Sequence, residues 1–145
     1  MLSFLTVRRL PEGVTLRALD RGHVQQINDL YPYRYPGSEE IMESSITLNG
    51  GLGAFRGDSL LSWAMASFYL GLGVVQTLKE ERNRGLGEYV VRETTRMMAE
   101  KLHVPVHLNV VEGNRTALRF FHRLGFHQLY TSTWIYPKTR KHYDA

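Results

Sequence analysis

At 145 residues, with 43% hydrophobic and 22% charged side chains, the chain has the size and balance of one globular domain with a genuine core. Cysteine is absent, which excludes disulfides, thiolate nucleophiles and cysteine-based metal sites. A net charge of +4 and a pI near 9.5 suit an anionic partner, but the basic residues are scattered outside Lys138–Lys141. A phosphorylated small molecule therefore accounts for the charge as well as nucleic acid does, and no nucleic-acid partner is expected.

The segment from Met1 to Arg9 is too short and too quickly basic for a secretory signal. No apolar run approaches the roughly 20 residues of a membrane helix. The expectation is an intracellular protein, cytoplasmic or mitochondrial, with no membrane partner. Val14 to Leu19 alternates apolar and polar positions after Pro11-Glu12-Gly13 and reads as a first strand. Asp20 is placed to cap a helix running to about Leu30, with Val24, Ile27 and Leu30 on one face. Two prolines and a glycine make Tyr31 to Gly37 a loop. Ser38 then caps a second helix whose first turn carries Glu39 and Glu40.

Gly50-Gly51 ends that helix, and Leu52 to Arg56 reads as a strand. Gly57-Asp58 turns the chain into a long strand from about Leu60 to Leu70. Gly71-Leu72-Gly73 breaks or bulges the ladder before another strand from Val74 to Leu78. A helix follows to Leu102, then a strand from Val106 to Val111. Asn114 caps a further helix with Ala117, Leu118, Phe121 and Leu124 inward; Gly125 closes it, and Phe126 to Tyr136 supplies one or two last strands. The order predicts a single α/β (α+β) domain around a mixed sheet.

Arg82-Asn83-Arg84-Gly85-Leu86-Gly87 lies between the strand ending at Leu78 and the long helix. The unpaired N–H groups and dipole of a helix start favour an anion, and glycine lets the backbone approach it. The stretch is not a Walker loop, which needs G-x-x-x-x-G-K-[ST]. It is not a dinucleotide fingerprint either, because Val90 stands where the third glycine belongs. The pattern present is R-x-x-G-x-G. About thirty residues on, Val106 to Phe126 reads as a strand followed by Asn114-x-x-Ala117-x-x-Phe120-Phe121-x-x-x-Gly125-Phe126.

Together these two motifs resemble the signature of the GNAT acyltransferase superfamily. Tyr31 to Ser38, Ser62-Trp63 and Leu78 to Arg82 are similar to the catalytic C-terminal half of glycine N-acyltransferase-like proteins. The chain would then be a single-domain relative or one half of a longer protein. The resemblance implies a GNAT fold, with a central mixed, mostly antiparallel, splayed sheet flanked by about four helices. It implies acyl-CoA or acetyl-CoA as donor, a small amine such as glycine as acceptor, and direct attack in a ternary complex. A peptide or protein N-acetyltransferase, and an acyl-CoA-binding module with little turnover, are the alternatives. Oligomeric state is left open.

The same resemblance implies roles for residues. Backbone amides from Arg82 through Asn83, Arg84, Gly85, Leu86, Gly87 and Glu88 take the pyrophosphate, with Arg82 and Arg84 adding charge. Main-chain groups of Val75 and Thr77 take the pantetheine arm, and Asn114, Ala117 and Phe121 line the cofactor side. Many relatives carry a proton-donating tyrosine where this chain has Phe121. His122 is adjacent, but one residue turns about 100° around a helix. Glu112, His107 and Tyr69, the last two within the sheet, are the candidate proton acceptors, and ordered water could serve instead. Arg34, between Tyr33 and Tyr35, is a candidate clamp for an acceptor carboxylate, which predicts that Arg34→Ala raises the acceptor KM. His23, His103, His127 and His142 show no metal-ligand spacing, so no catalytic metal is expected.

Overall fold

Pro11-Glu12-Gly13 delivers the chain into β1 (Val14–Ala18), and Asp20 stops it. The computed structural model describes residues 9–135. The amino-terminal segment, the Lys138–Lys141 tail, His142 and the end of the last predicted strand lie outside the described residues. These residues divide into two compact units, one up to Asn109 and one from Val110.

In the first unit Asp20 caps a short 3-10 turn, Arg21–His23, rather than the helix itself. Its Oδ1 accepts from the Gly22 N–H at 2.8 Å, while its own N–H donates to His23 Nδ1 at 3.0 Å. Helix α1 (Val24–Asp29) follows, then α2 (Ser38–Asn49). Ser38 differs from its expected role, because Gly37 precedes α2 as its cap. The Ser38 hydroxyl donates to Asn28 Oδ1 at 2.6 Å and accepts from the Tyr35 N–H at 3.2 Å. It ties the loop to α1, a use of a buried hydroxyl that local pattern does not reveal.

Strands β2 (Gly51–Arg56), β3 (Ser59–Ala66) and β4 (Leu72–Thr77) complete an antiparallel sheet in the order β1-β2-β3-β4. One face packs Phe55, Leu60, Trp63 and Met65 against Leu19, Val24, Ile27, Met42 and Ile46. Full burial of such a side chain contributes about 1.5–3 kcal/mol relative to exposure. Ala54, Ala64 and Ala66 alternate with these and are equally buried. Their small size lets α3 (Leu86–Leu102) lie close against the opposite face through Leu86, Val90, Val91, Thr94 and Met98.

Strand β3 ends at Ala66, four residues before the predicted end. The Ser67 N–H donates to the Gly71 carbonyl and the Leu70 N–H to the Ser67 carbonyl, both at 2.8 Å. A tight turn with Leu70 at φ +60° results, so Tyr69 sits on a turn rather than within the sheet. The predicted strand from Val106 to Val111 is reduced to one parallel bridge, Leu72 to Leu108.

The second unit contains α4 (Arg115–Arg123). The Asn114 side chain caps it, accepting from the Ala117 N–H at 3.1 Å, and Gly125 follows it with φ +96°. None of the helix residues is fully buried: Ala117, Phe121 and Leu124 are half-buried, and Leu118 is exposed. The predicted strands after Phe126 are absent among the described residues, and Leu129, Tyr130 and Ile135 are exposed. A strand needs a neighbour to take its backbone hydrogen bonds, and none is supplied there.

Candidate functional site

Strand β4 ends the four-stranded order, so one of its edges faces away from β3. The Leu78 N–H donates to the Leu61 carbonyl on β3 at 2.9 Å. Backbone groups alternate sides along an antiparallel strand. Gln76 and Leu78 therefore turn toward β3, and Val75 and Thr77 turn to the open edge. At the start of β4 the Leu72 N–H meets the His107 carbonyl at 2.8 Å, beside the Leu72–Leu108 bridge. Beyond that bridge no further one joins β4 to residues 106–109 among the described residues, leaving main-chain groups available along the strand. Val74, at φ +52°, coincides with a register shift between β3 and β4. This is unfavourable backbone for a β-branched residue.

The open edge leads to the start of α3. Gly85 caps this helix at φ +80°, a conformation that glycine adopts without a Cβ penalty, and Asn83 is at φ +63°. No protein acceptor among the described residues takes the backbone N–H groups of Gly85, Leu86 or Gly87. They form the donor set that the positive end of a helix offers to an anion. Glu88 stands in the first turn, where Arg92 Nε reaches its carboxylate at 3.3 Å.

The two loop arginines are differently engaged. Arg82 Nε donates to the Thr77 carbonyl at 3.2 Å, bracing the loop against β4. It thereby occupies one of the main-chain acceptors on the open edge of β4. Arg84 Nη1 lies 3.0 Å from Glu81 Oε2, and Arg56 of β2 grips the same carboxylate at 2.8 and 3.3 Å. Glu81 is buried. Its hydrogen bonds from Arg56 hold the carboxyl below the ordinary glutamate range, opposed by burial and reinforced by the charges of Arg56 and Arg84. No local pattern marks Glu81, because only the fold brings Arg56 and Arg84 to one carboxylate.

The turn between β3 and β4 holds the second group of interest. An added Cβ at Gly71 would collide with the Tyr69 ring and lie 3.1 Å from His107 Nε2. At Gly73 it would collide with Ser67 Oγ and lie 3.3 Å from the Tyr69 hydroxyl. The Tyr69 and His107 rings are 5.9 Å apart. Glycine on either side of Leu72, one in the turn and one in β4, leaves room for the side chains of Tyr69 and Ser67. Tyr69 also lines a cavity of about 110 Å³, together with Tyr31, Tyr35, Ser45, Ser67 and Val74.

Arg34 and Tyr33 do not line that cavity. Arg34 Nη1 pairs with Asp29 Oδ1 at 3.3 Å and is 56% exposed. Tyr33 is exposed, its ring packed edge-on against Tyr31 at 5.7 Å. In the second unit Glu112 is exposed, Asn114 and Ala117 are joined in the helix cap, and Phe121 packs between Phe120 and Phe126. Among the described residues, no group of three or more His, Asp or Glu side chains could hold a metal ion. No helix there is long and apolar enough to cross a membrane.

The pattern of the family described as FR47-like protein matches residues 51–135, more than half of the chain. The chain belongs to the FR47-like family. Among curated proteins the FR47-like chain has no sequence match. Its fold is similar to that of a Drosophila protein at 25% identity, over 84% of the FR47-like chain, with a TM-score of 0.74. The chain spans only 42% of the length of that protein. The aminoglycoside N-acetyltransferase AAC(6')-Iy, solved in complex with CoA, is similar at 15% identity and a TM-score of 0.70. That match covers 92% of the FR47-like chain and 99% of the other. An aminoglycoside acetyltransferase from an uncultured soil metagenomic sample, solved with sisomicin, gives 11% identity and a TM-score of 0.62. There 88% of the FR47-like chain and 97% of the other are covered. These likenesses show the GNAT fold that the paired motifs implied.

Proposed function

We propose that this FR47-like protein is a CoA-dependent N-acyltransferase that moves an acyl group to a small primary amine. The observation that carries this reading is the continuity of the open β4 edge with the unpaired amides at the start of α3. A strand edge and a helix start in series suit an extended ligand with a pantetheine-like amide arm and a pyrophosphate. Val75 and the N–H of Thr77 serve the arm, and the loop from Arg82 to Glu88, led by the amides of Gly85, Leu86 and Gly87, serves the phosphates. The resemblance to glycine N-acyltransferase-like proteins makes glycine the reference compound in the panel of small amines. The neighbours solved with CoA and with an aminoglycoside support a CoA thioester and an amine as the two substrates.

In the reaction, the acceptor nitrogen bonds to the thioester carbonyl carbon as the carbon–sulfur bond breaks, with one proton leaving the amine and one reaching the thiolate. The Val75 N–H, on the open edge, is the donor assigned to the carbonyl oxygen. We assign proton handling to Tyr69, which lies over β4, with His107 beside it. Glu112, Asn114, Ala117 and Phe121 enter through the motif resemblance alone. Phe121, where relatives carry a proton-donating tyrosine, favours a second reading as an acyl-CoA-binding module without turnover.

Calorimetric titration with acetyl-CoA, followed by thiol release across an amine panel, tests the proposal. Binding with amine-dependent thiol release supports it. Binding with no release from any amine supports the second reading, and absence of binding overturns both.

A further inference from the structure

The cavity between the Tyr31–Gly37 loop, α2 and the β3–β4 turn has a chemistry of its own. Tyr31, Tyr35, Phe68 and Tyr69 give it aromatic walls, and Ser45 and Ser67 add hydroxyls. No Arg, Lys, Asp or Glu side chain lines it among the described residues. Arg34 does not line it and pairs with Asp29. Val74 closes the cavity on the β4 side, one residue from Val75 on the open edge.

Resting on the acyl-transfer reading, we infer that this cavity holds the acceptor and selects a small primary amine whose non-reacting end carries no charge. Apolar and aromatic walls favour an uncharged tail, and the serine hydroxyls accept from or donate to a neutral polar group on it. A carboxylate seated there would give up part of its water without gaining a cation, and a second ammonium would do so without gaining an anion. Size restricts the choice further. About 110 Å³, where about 10–15 Å³ of such space holds one water, admits a small amine and not a multi-ring aminoglycoside. Alkylamines and amino alcohols fit these conditions; amino acids, diamines and aminoglycosides do not.

The test uses the full chain, acetyl-CoA and four amines (propylamine, ethanolamine, glycine and putrescine), with thiol release compared at equal free-amine concentration. Propylamine or ethanolamine is expected to exceed both charged-tail amines in kcat/KM by about tenfold or more, the scale on which binding pockets discriminate. Glycine or putrescine at or above the neutral-tail amines overturns the inference. Tyr35→Ala, which opens one wall, should raise the rate with benzylamine and leave the acetyl-CoA KM unchanged, with Tm confirming the fold. No gain with benzylamine in a folded variant also overturns it. Should no amine release thiol, the same amines are titrated calorimetrically into CoA-saturated protein. Selective binding of propylamine or ethanolamine then upholds the cavity while acyl transfer fails. Absence of amine binding overturns the cavity assignment, and absence of CoA binding overturns the acyltransferase reading.

Discussion

Arg56 on β2 grips the buried carboxylate of Glu81 with two guanidinium nitrogens, at 2.8 and 3.3 Å. The same carboxylate takes Arg84 from the loop that precedes α3. The sheet and the loop are thereby joined through one acid.

This arrangement fixes a pH dependence. The folded state holds the Glu81 carboxyl below its unfolded pKa, so its stabilisation is present above the ordinary glutamate range. As pH falls, the unfolded state takes the proton first, and the stabilisation is lost by the time the folded pKa is passed. Glu81→Gln should lower Tm at neutral pH, with the gap to the native protein shrinking in acid. A gap independent of pH would show that the ion pairs contribute nothing.

Gly87→Asp separates folding from anion binding. An acidic residue in the first turn of α3 stabilises the helix by about 0.3–1 kcal/mol through the dipole. The same charge repels phosphate from the amides beside it. The variant should keep or raise its Tm while its Kd for CoA rises about tenfold or more, the scale of one lost charge-assisted hydrogen bond. Unchanged CoA affinity would remove the α3 start from the site.

Gly71→Ala should displace Tyr69, because the added methyl occupies the position of its ring. Overpacking of this kind costs about 1–3 kcal/mol. Denaturant unfolding measures the cost, and thiol release should slow in parallel as Tyr69 leaves β4.

Tyr69→Phe keeps the ring and removes the proton. With Tyr69 as the proton-handling group, kcat should fall by about a hundredfold while the acetyl-CoA KM stays constant. An unaltered kcat would reduce Tyr69 to a wall of the cavity.

Arg34→Ala should leave stability nearly unchanged, within about 0.5 kcal/mol, because an exposed ion pair contributes little, so its acceptor KM tests the clamp without loss of the fold. A large rise in acceptor KM would support the carboxylate clamp suggested by the tyrosines around it.

The features readable without a structure were those carried by neighbours in the chain. Gly85 before α3, Asn114 before α4 and Gly125 after it act within one helical turn, and all stand where local pattern put them. The R-x-x-G-x-G stretch and the Asn114–Phe126 motif are equally local, and together they were enough to name the fold. Strand ends were not, because a strand exists only where another supplies its hydrogen bonds. Val106 to Val111 alternates as well as Val14 to Leu19 does, yet it makes one bridge while β1 pairs along its length. The site divides in the same way. Anion-ready amides follow from the start of a helix and could be read from sequence. The pairing of Arg84 with Glu81, the turning of Arg34 to Asp29 and the closure of an uncharged cavity by Tyr31, Tyr35 and Tyr69 could not. Each depends on side chains from separate elements meeting in space, and only tertiary packing determines which charges are spent on one another and which surfaces remain for a substrate.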